Sequence, residues 1–484
     1  MKLKKDLWTG LEHQSPNPKI EVFTKGIPDN ADFIFSADPK AGAWSKLLAY
    51  SFSESVGDLE GSFSFSIENT YTGKGTNTFG SIPIRSIVKI YEGGEKPAFV
   101  GIIRVRYQGA TMTAQGIRRA ITFSGKSIIS CIAEYTLSLD VRIQAVADAV
   151  SKNIDLTTKL AGQKLSIKSF MQITWEHFEK TSKQFGISTT GLADIIEKFI
   201  GGPGNFIEVT GKEQEIRYDV ACIFYNATNN VIADVWRNIL PKPVYEFFSR
   251  CEAGEPKIIA RQVPFNKEDW SKLDIYEISP VSLTGYELRQ SDEEVYTAFA
   301  SYIIGSAMDR KFYLGVNQTG NDDIVFHDTE KQKIYGFKPL EIDFHGYDRQ
   351  GNENEEWNEK KPKLKDALRA LNEMAAYWYS RLDEMYSGTL SICTDFKNPK
   401  TNPRAGCRAK FMGGEFYIEK AEHNWKLSGT PIIKLTVSRG MCYDYNSGTM
   451  LWSLGMGTRF QELSEGFVPA VEVVSFVPAE KATP

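Results

Sequence analysis

The sequence predicts an α+β fold, mainly β, with two similar β-barrel domains and helix-containing domains inserted between and within them. The first observation behind this is a pattern that occurs twice with the same landmarks in the same order. Lys89-Ile90-Tyr91-Glu92 leads into Gly93-Gly94-Glu95, Phe99-Val100 follows, and Ile121-Thr122-Phe123-Ser124-Gly125 closes the first copy. Lys410-Phe411-Met412 leads into Gly413-Gly414-Glu415, Phe416-Tyr417-Ile418 follows, and Leu435-Thr436-Val437-Ser438-Arg439-Gly440 closes the second. Period-two alternation on both sides of a glycine pair reads as a hairpin followed by a further strand, because glycine supplies the positive φ of a tight turn. The second observation is an aromatic content of 12%, with 21 Tyr and 29 Phe, which leans toward strands. The third is length: 484 residues exceed what one core holds.

Residues 1–130 alternate throughout and carry turn glycines, with Pro16, Pro18, Pro28 and Pro39 punctuating the start; they are assigned to the first barrel. Its upstream strands are Tyr50-Ser51-Phe52-Ser53 and Phe63-Ser64-Phe65-Ser66-Ile67. In the second copy the former matches Tyr286-Glu287-Leu288-Arg289, and the latter matches either Tyr296-Thr297-Ala298-Phe299-Ala300 or Gly388-Thr389-Leu390-Ser391-Ile392. Residues 131–255 form a helix-rich second domain, since Val141 to Val150, Leu192 to Phe199 and Val231 to Ile239 follow helical spacing. Residues 256–308 and 387–445 make the second barrel, split by an inserted domain, 309–386. That insertion contains a polar loop and then an apolar stripe through Leu364, Leu368, Leu371, Ala375, Trp378, Leu382 and Met385, which reads as one long amphipathic helix. Residues 446–484 are a C-terminal extension in which Phe467-Val468-Pro469-Ala470 is echoed by Phe476-Val477-Pro478-Ala479.

The formal net charge of -4 gives no global attraction to nucleic acid or anionic lipid. Six scattered cysteines without a C-x-x-C spacing read as reduced thiols rather than a disulfide scaffold. The N-terminus lacks the apolar run of a signal peptide, and no stretch approaches the ~20 apolar residues of a spanning helix, so no membrane insertion is expected. The five histidines share no ligand spacing, and neither metal nor cofactor is expected. Ala120-Ile121-Thr122-Phe123-Ser124-Gly125-Lys126-Ser127 fits a relaxed phosphate-loop pattern, yet its alternation reads as a strand. Carboxylate pairs such as Glu176 with Glu179, or Asp383 with Glu384, lie among lysines and arginines as solvated helix faces do. No nucleophile signature exists, so no catalytic residue is assigned. Arg104 and Arg106 place positive charge on one predicted strand, as solvated surface or as a contact or channel lining.

An ordered series of segments resembles the tail baseplate hub proteins of phages, with the late control D family and the hub portion of type VI secretion spikes. The series is Pro264-Phe265-Asn266 to Trp270, Ile278-Ser279-Pro280, Glu287-Leu288-Arg289 to Phe299, Pro403-Arg404-Ala405-Gly406, Phe416 to Trp425 and Thr436-Val437-Ser438-Arg439-Gly440. The resemblance implies two tube domains per chain and a homotrimer whose six barrels form a ring. Such a ring would join the tail tube or a distal tail ring protein to a central spike protein, contact a tape measure protein, and let DNA or an effector cross its channel. Three copies of a doubled module are the simplest conversion of six-fold to three-fold symmetry. Leu451, Trp452, Phe467 and Phe476 of the extension are the expected partner-binding residues, as an arm that adds to another chain's sheet or packs on its own barrel. The alternatives are a tail-associated cell-wall hydrolase using Glu176 and Glu179, and a binding module for carbohydrate or nucleic acid.

Overall fold

The computed structural model describes residues 18–25, 30–37, 45–69, 78–113, 116–133, 207–210, 232–238, 243–265, 267–304, 326–345, 382–393, 402–411, 414–427, 429–440, 442–444 and 449–452, with scattered positions elsewhere, chiefly between 168 and 199 and between 371 and 379. It is mainly β. The first run comprises β1 (Lys19–Phe23), β2 (Phe33–Ser36), β3 (Ser45–Ser55), β4 (Ser62–Glu68), β5 (Ile87–Tyr91), β6 (Phe99–Thr113) and β7 (Gly116–Ser127). Next come β8 (Ile207–Thr210), β9 (Tyr245–Glu252) and β10 (Glu255–Gln262), a small sheet of its own. The second run holds β11 (Ile275–Glu277), β12 (Leu283–Arg289), β13 (Ala298–Ile304), β14 (Phe326–His327), β15 (Pro339–His345), β16 (Tyr386–Cys393), β17 (Arg408–Phe411), β18 (Gly414–Lys426) and β19 (Ile432–Gly440). The hairpin β20 (Cys442–Asp444) and β21 (Thr449–Trp452) ends the described chain.

The repeat is visible in the pairing. In the first copy β5 pairs β6, β6 pairs β7, β7 pairs β4 and β4 pairs β3, all antiparallel. In the second copy β17 pairs β18, β18 pairs β19, β19 pairs β16 and β16 pairs β12, again antiparallel. Of the two upstream alignments, Gly388–Ile392 is therefore the partner strand, with Leu390 opposite Tyr286. Tyr296–Ala300 instead leads into β13, which pairs β14 and β15 in a separate sheet. Apolar run length does not separate a strand buried in one sheet from a strand buried in another, so the two alignments were equal on pattern alone.

Close approach explains the glycines that end each copy. A Cβ at Gly125 would overlap the Ile102 carbonyl, and one at Gly440 would overlap the Phe416 ring. At the hairpin, Gly93 takes φ +89°, the left-handed region glycine tolerates.

The pairings of the first copy run in a closed circuit, β3-β4-β7-β6-β5-β1-β2 and back to β3 through the parallel pairs Phe35–Ser45 and Ser36–Lys46. Its interior is filled by Ile20, Val22, Phe35, Phe52, Phe65, Ile90 and Phe123. The second copy runs β11-β17-β18-β19-β16-β12 around Leu390, Phe411, Phe416, Ile418, Leu435 and Val437. Among the described strands nothing pairs β11 with β12, so this copy is an open curl.

Helical spacing is followed in part: the predicted long helix does not run on to Met385, because Leu382–Glu384 is a 3-10 turn that leads into β16. Ile232–Asn238 is a helix that buries Ile232, Val235 and Trp236 against Trp175, Val244 and Ile258. Leu371, Ala375 and Trp378 are helical and buried, whereas Leu364 and Leu368 lie outside the described residues. The stripe from Val141 to Val150 and the Leu192 to Ile196 turn also lie outside them. Ala120–Ser127 is extended within β7, which leaves no phosphate loop there. No helix among the described residues is long and apolar enough to cross a membrane.

Candidate assembly interface

The two copies are joined by one strand pairing. Beyond its contact with β17, β18 runs antiparallel to β3 from Lys420 opposite Ser55 to Lys426 opposite Ala49. Val56 N donates to Glu419 O at 2.8 Å, and Leu427 N to Leu48 O at 2.7 Å, closing both ends of the seam. The sheet is thus continuous from β6 in the first copy to β12 in the second.

On the core side of the seam, β3 presents Tyr50, Phe52 and Glu54, and β18 lays His423 and Trp425 over them. Trp425 stacks on Tyr50 with ring centroids 5.8 Å apart, and His423 on Phe52 at 4.3 Å. Trp425 therefore belongs to the core of the first copy although it is encoded in the second.

Around these rings lies a buried polar cluster. Glu92, 1% exposed, accepts from Asn402 Nδ2 at 2.8 Å and from Tyr50 OH at 3.3 Å, and faces His423 Nδ1 at 3.0 Å. Glu54 accepts from Arg404 Nη1 at 3.1 Å and from the Cys251 backbone N–H at 3.0 Å. Arg404 also donates to the Ala98 carbonyl at 3.1 Å and sits over the Phe52 ring. Burial pushes the Glu92 carboxyl upward, but His423, Arg404 and Asn402 outweigh it and hold the group below its ordinary value. Burial likewise disfavours the Arg404 charge, which Glu54 and Glu92 more than restore. The Cys251 thiol, fully buried, is pushed up to about 12. A second cluster locks the sheet β8-β10-β9 onto the second copy: Arg261 Nε donates to Glu246 at 2.8 Å, Arg261 Nη2 to Gly406 O at 2.7 Å, and Tyr417 OH to Glu246 at 2.5 Å.

The opposite face of the continuous sheet is polar: it carries hydroxyls on β3, β4 and β7 and charges on β18 and β19, where Lys420, Glu422 and Lys426 lie opposite Ser55, Ser53 and Ala49, and Lys434 opposite Glu422. Hydroxyl pairs cross neighbouring strands at Ser51–Ser64 (2.9 Å), Ser53–Ser62 (2.8 Å) and Ser66–Thr122 (2.8 Å). Lys434 and Thr436 lie opposite Ser391 and Thr389, which extends this face toward β12. The arginines flagged in the sequence bond within the chain: Arg104 donates to Ser130 Oγ at 3.3 Å and Arg106 to Ile82 O at 2.8 Å. A bulge between Ile103 and Val105 breaks the simple alternation that would put them side by side.

Among the described residues, β12 is an end strand of this sheet. β12 pairs β16 on one side only, and Tyr286, 57% exposed, stands beside it. A groove lined by Glu287, Arg289, Tyr386, Thr389, Ser438 and Arg439 crosses the neighbouring strands β12, β16 and β19. β6 pairs β5 only as far as Ile102, and Val105 and Tyr107 beyond it are about half exposed.

Among the described residues no group of His, Cys, Asp and Glu could hold a metal ion. Of the expected partner-binding residues, Leu451 and Trp452 fall on β21, where Trp452 lies opposite Cys442. Phe467 and Phe476 lie outside the described residues, as do Glu176 and Glu179. The motif series did mark the seam, since Arg404, His423 and Trp425 come from two of its segments. Glu54 and Glu92 were missed as seam residues. The available signal was Tyr50-x-Phe52-x-Glu54, a carboxylate on the apolar side of an alternating strand.

No family model matches the sequence, and no curated protein matches it. Solved structures do. The 43 kDa tail protein of prophage MuSo2 from Shewanella oneidensis is similar at TM-score 0.45 and 11% identity, over 87% of this chain and 98% of that one. A tail protein from Neisseria meningitidis is similar at TM-score 0.45 and 8% identity, over 87% and 96%. A type VI secretion system component of E. coli is similar at TM-score 0.38 and 8% identity, over 84% and 77%. These structural neighbours are phage tail and type VI proteins, the same group that the ordered motifs resemble.

Proposed function

We propose that this protein is a structural baseplate hub of a phage tail or tail-like injection particle, located in the virion tail and assembled in the host cytoplasm. Three copies form a pseudo-six-fold ring of six similar β-barrel modules. One face of the ring meets the tail tube or a distal tail ring protein, and the other holds the central spike, with the tape measure protein and then DNA or an effector passing through without specific binding. The observation that carries this reading is the joint itself. One chain contains the module twice, and the two copies share a continuous sheet through β3 and β18. Doubling a module within each subunit lets three identical chains present six similar faces.

No residue is assigned a catalytic role in this reading. Leu451, Trp452, Phe467 and Phe476 are proposed as contacts to the spike or tube.

Light scattering of the purified chain across a concentration series tests the proposal. A mass three times that of the protomer is expected, alone or once the cognate spike is added. A chain that stays monomeric with both tube and spike present overturns it. A zymogram that clears, and stops clearing on Glu176→Gln or Glu179→Gln, would replace it with the hydrolase.

A further inference from the structure

Three atoms of the polar cluster at the seam are left over. Glu54 Oε2, Asn402 Oδ1 and His423 Nε2 are buried and, among the described residues, have no hydrogen-bond partner. Their side chains are 1%, 1% and 0% exposed. In each case the other end of the same group is in use. Glu54 Oε1 accepts from both Cys251 N at 3.0 Å and Arg404 Nη1 at 3.1 Å. Asn402 Nδ2 donates to Glu92 Oε2 at 2.8 Å, and His423 Nδ1 faces the two oxygens of Glu92 at 3.0 and 3.2 Å. Buried polar groups are normally paired with protein or with ordered water, so three in one cluster point to a shared partner.

The three belong to one neighbourhood. Asn402 and His423 meet on the same Glu92 carboxylate. His423 stacks on the Phe52 ring at 4.3 Å, and Arg404, which holds Glu54, sits over that ring at 5.7 Å. Chemistry also fixes which end of each group is free. Turning the Asn402 amide over would set its oxygen against the Glu92 carboxylate, so the oxygen is the end without a partner. Glu92 is held ionised by its neighbours and only accepts, so Nδ1 carries the hydrogen that it faces and Nε2 is left.

We infer that the β3–β18 seam encloses ordered water, bound by at least two of Glu54 Oε2, Asn402 Oδ1 and His423 Nε2. The two oxygens only accept, so their partner must give hydrogens, which rules out a bare anion. A metal ion needs several hard donors, and no group of His, Cys, Asp and Glu among the described residues could hold one. Nε2 accepts when the ring is neutral and donates when it is charged, and water answers both. The inference concerns the joint inside each chain and stands apart from the ring reading. It also gives that joint a measurable property: water enclosed there leaves only when β18 lifts from β3, so its residence time reports how often the two copies part.

A crystal structure of the full chain that shows ordered solvent tests this first. The expected result is a water within ~2.5–3.2 Å of at least two of the three atoms. Finding all three bonded to protein groups, finding no solvent between them, or finding six or more oxygen ligands at ~2.3–2.6 Å, the signature of a cation, overturns it. Oxygen-17 relaxation dispersion, which detects water held for longer than the protein takes to tumble, gives the solution counterpart. His423→Phe/Asn402→Leu keeps an aromatic ring on Phe52 and leaves a single anchor, so it is expected to lower the dispersion amplitude, whereas Arg289→Met on the exposed β12 leaves it unchanged. An unchanged amplitude in a folded double variant counts against the enclosed water. Should that variant fail to fold, the crystal structure of the natural chain decides alone.

Discussion

Strands β3 and β12 hold the same place in the two copies of one module, and their core-side residues meet opposite fates. On β3, Tyr50 and Phe52 are each 2% exposed and Glu54 is 1% exposed, because β18 lies alongside with Trp425, His423 and the Arg404 loop behind it. On β12, Leu288, which the pairings put where Tyr50 stands on β3, is only partly buried, and Tyr286, two residues before it on the same face, is 57% exposed with its ring edge-on to Phe411 at 5.5 Å. The strand alone does not decide burial. A neighbour on its open edge does, and the first copy finds that neighbour in its own chain.

Removing charge partners tests the contrast most severely. Arg404→Met leaves Glu54 and Glu92 buried without their guanidinium, and breaking a buried pair from one side costs about 3–5 kcal/mol. The matching change on the open edge, Arg289→Met, alters a side chain that is 67% exposed and is expected to move stability by less than ~0.5 kcal/mol. Urea denaturation of the two variants reads the difference directly. Equal midpoints would mean that the seam cluster contributes nothing to holding the copies together.

The aromatic pair comes next. Trp425→Ala empties a filled site in the core of the first copy and is expected to cost about 3–5 kcal/mol, at the upper end for large-to-small changes. Tyr286→Ala is expected to cost under ~1 kcal/mol in the separated protomer, since most of that ring is already in water. Thermal unfolding of dilute protein compares them. A large loss for Tyr286→Ala under those conditions would show that the β12 edge is covered within a single chain.

Acid gives the smallest and most local effect. The Glu92 carboxyl is held below its ordinary 4.5 in the folded chain, so the folded state binds that proton less readily than the unfolded one. Its contribution to stability is therefore complete above about pH 4.5 and disappears as pH falls through the lowered value. Urea midpoints should be flat above that range and decline below it. Glu92→Gln should start from a lower plateau and decline less steeply. An unchanged acid limb in Glu92→Gln would remove this carboxylate from the seam's energetics.

Much of the module was legible in the sequence, because each of its strands alternates and each hairpin carries glycine where the backbone needs it. Gly93, Gly125 and Gly440 were placed by pattern and are explained by φ or by close approach. The choice between Tyr296–Ala300 and Gly388–Ile392 was not legible, since both are apolar runs of strand length and only the sheet they join separates them. The seam was legible in half: Arg404, His423 and Trp425 lay in recognisable segments, whereas Glu54 and Glu92 stand on the apolar side of the alternations Tyr50-x-Phe52-x-Glu54 and Val88-x-Ile90-x-Glu92, a position that does not itself say which distant residues neutralise them. Pairing between strands about 370 residues apart, as for Ala49 and Lys426, leaves no trace in local periodicity. Arg104 and Arg106 read as a basic stripe because a one-residue bulge cannot be seen in alternation.

The crossing of β18 over β3 also bears on the order of assembly. Two segments tethered in one chain meet at an effective concentration set by the tether, in the millimolar range for short flexible links and unchanged by dilution. A joint formed that way can carry two buried carboxylates and an arginine, because it forms once, as each chain folds, and never has to wait for a partner. At the end of the sheet β12 instead presents Glu287 and Arg289 to water. The chain thus has one contact between its two copies that is made within a single molecule, and one end strand whose described residues pair on one side only.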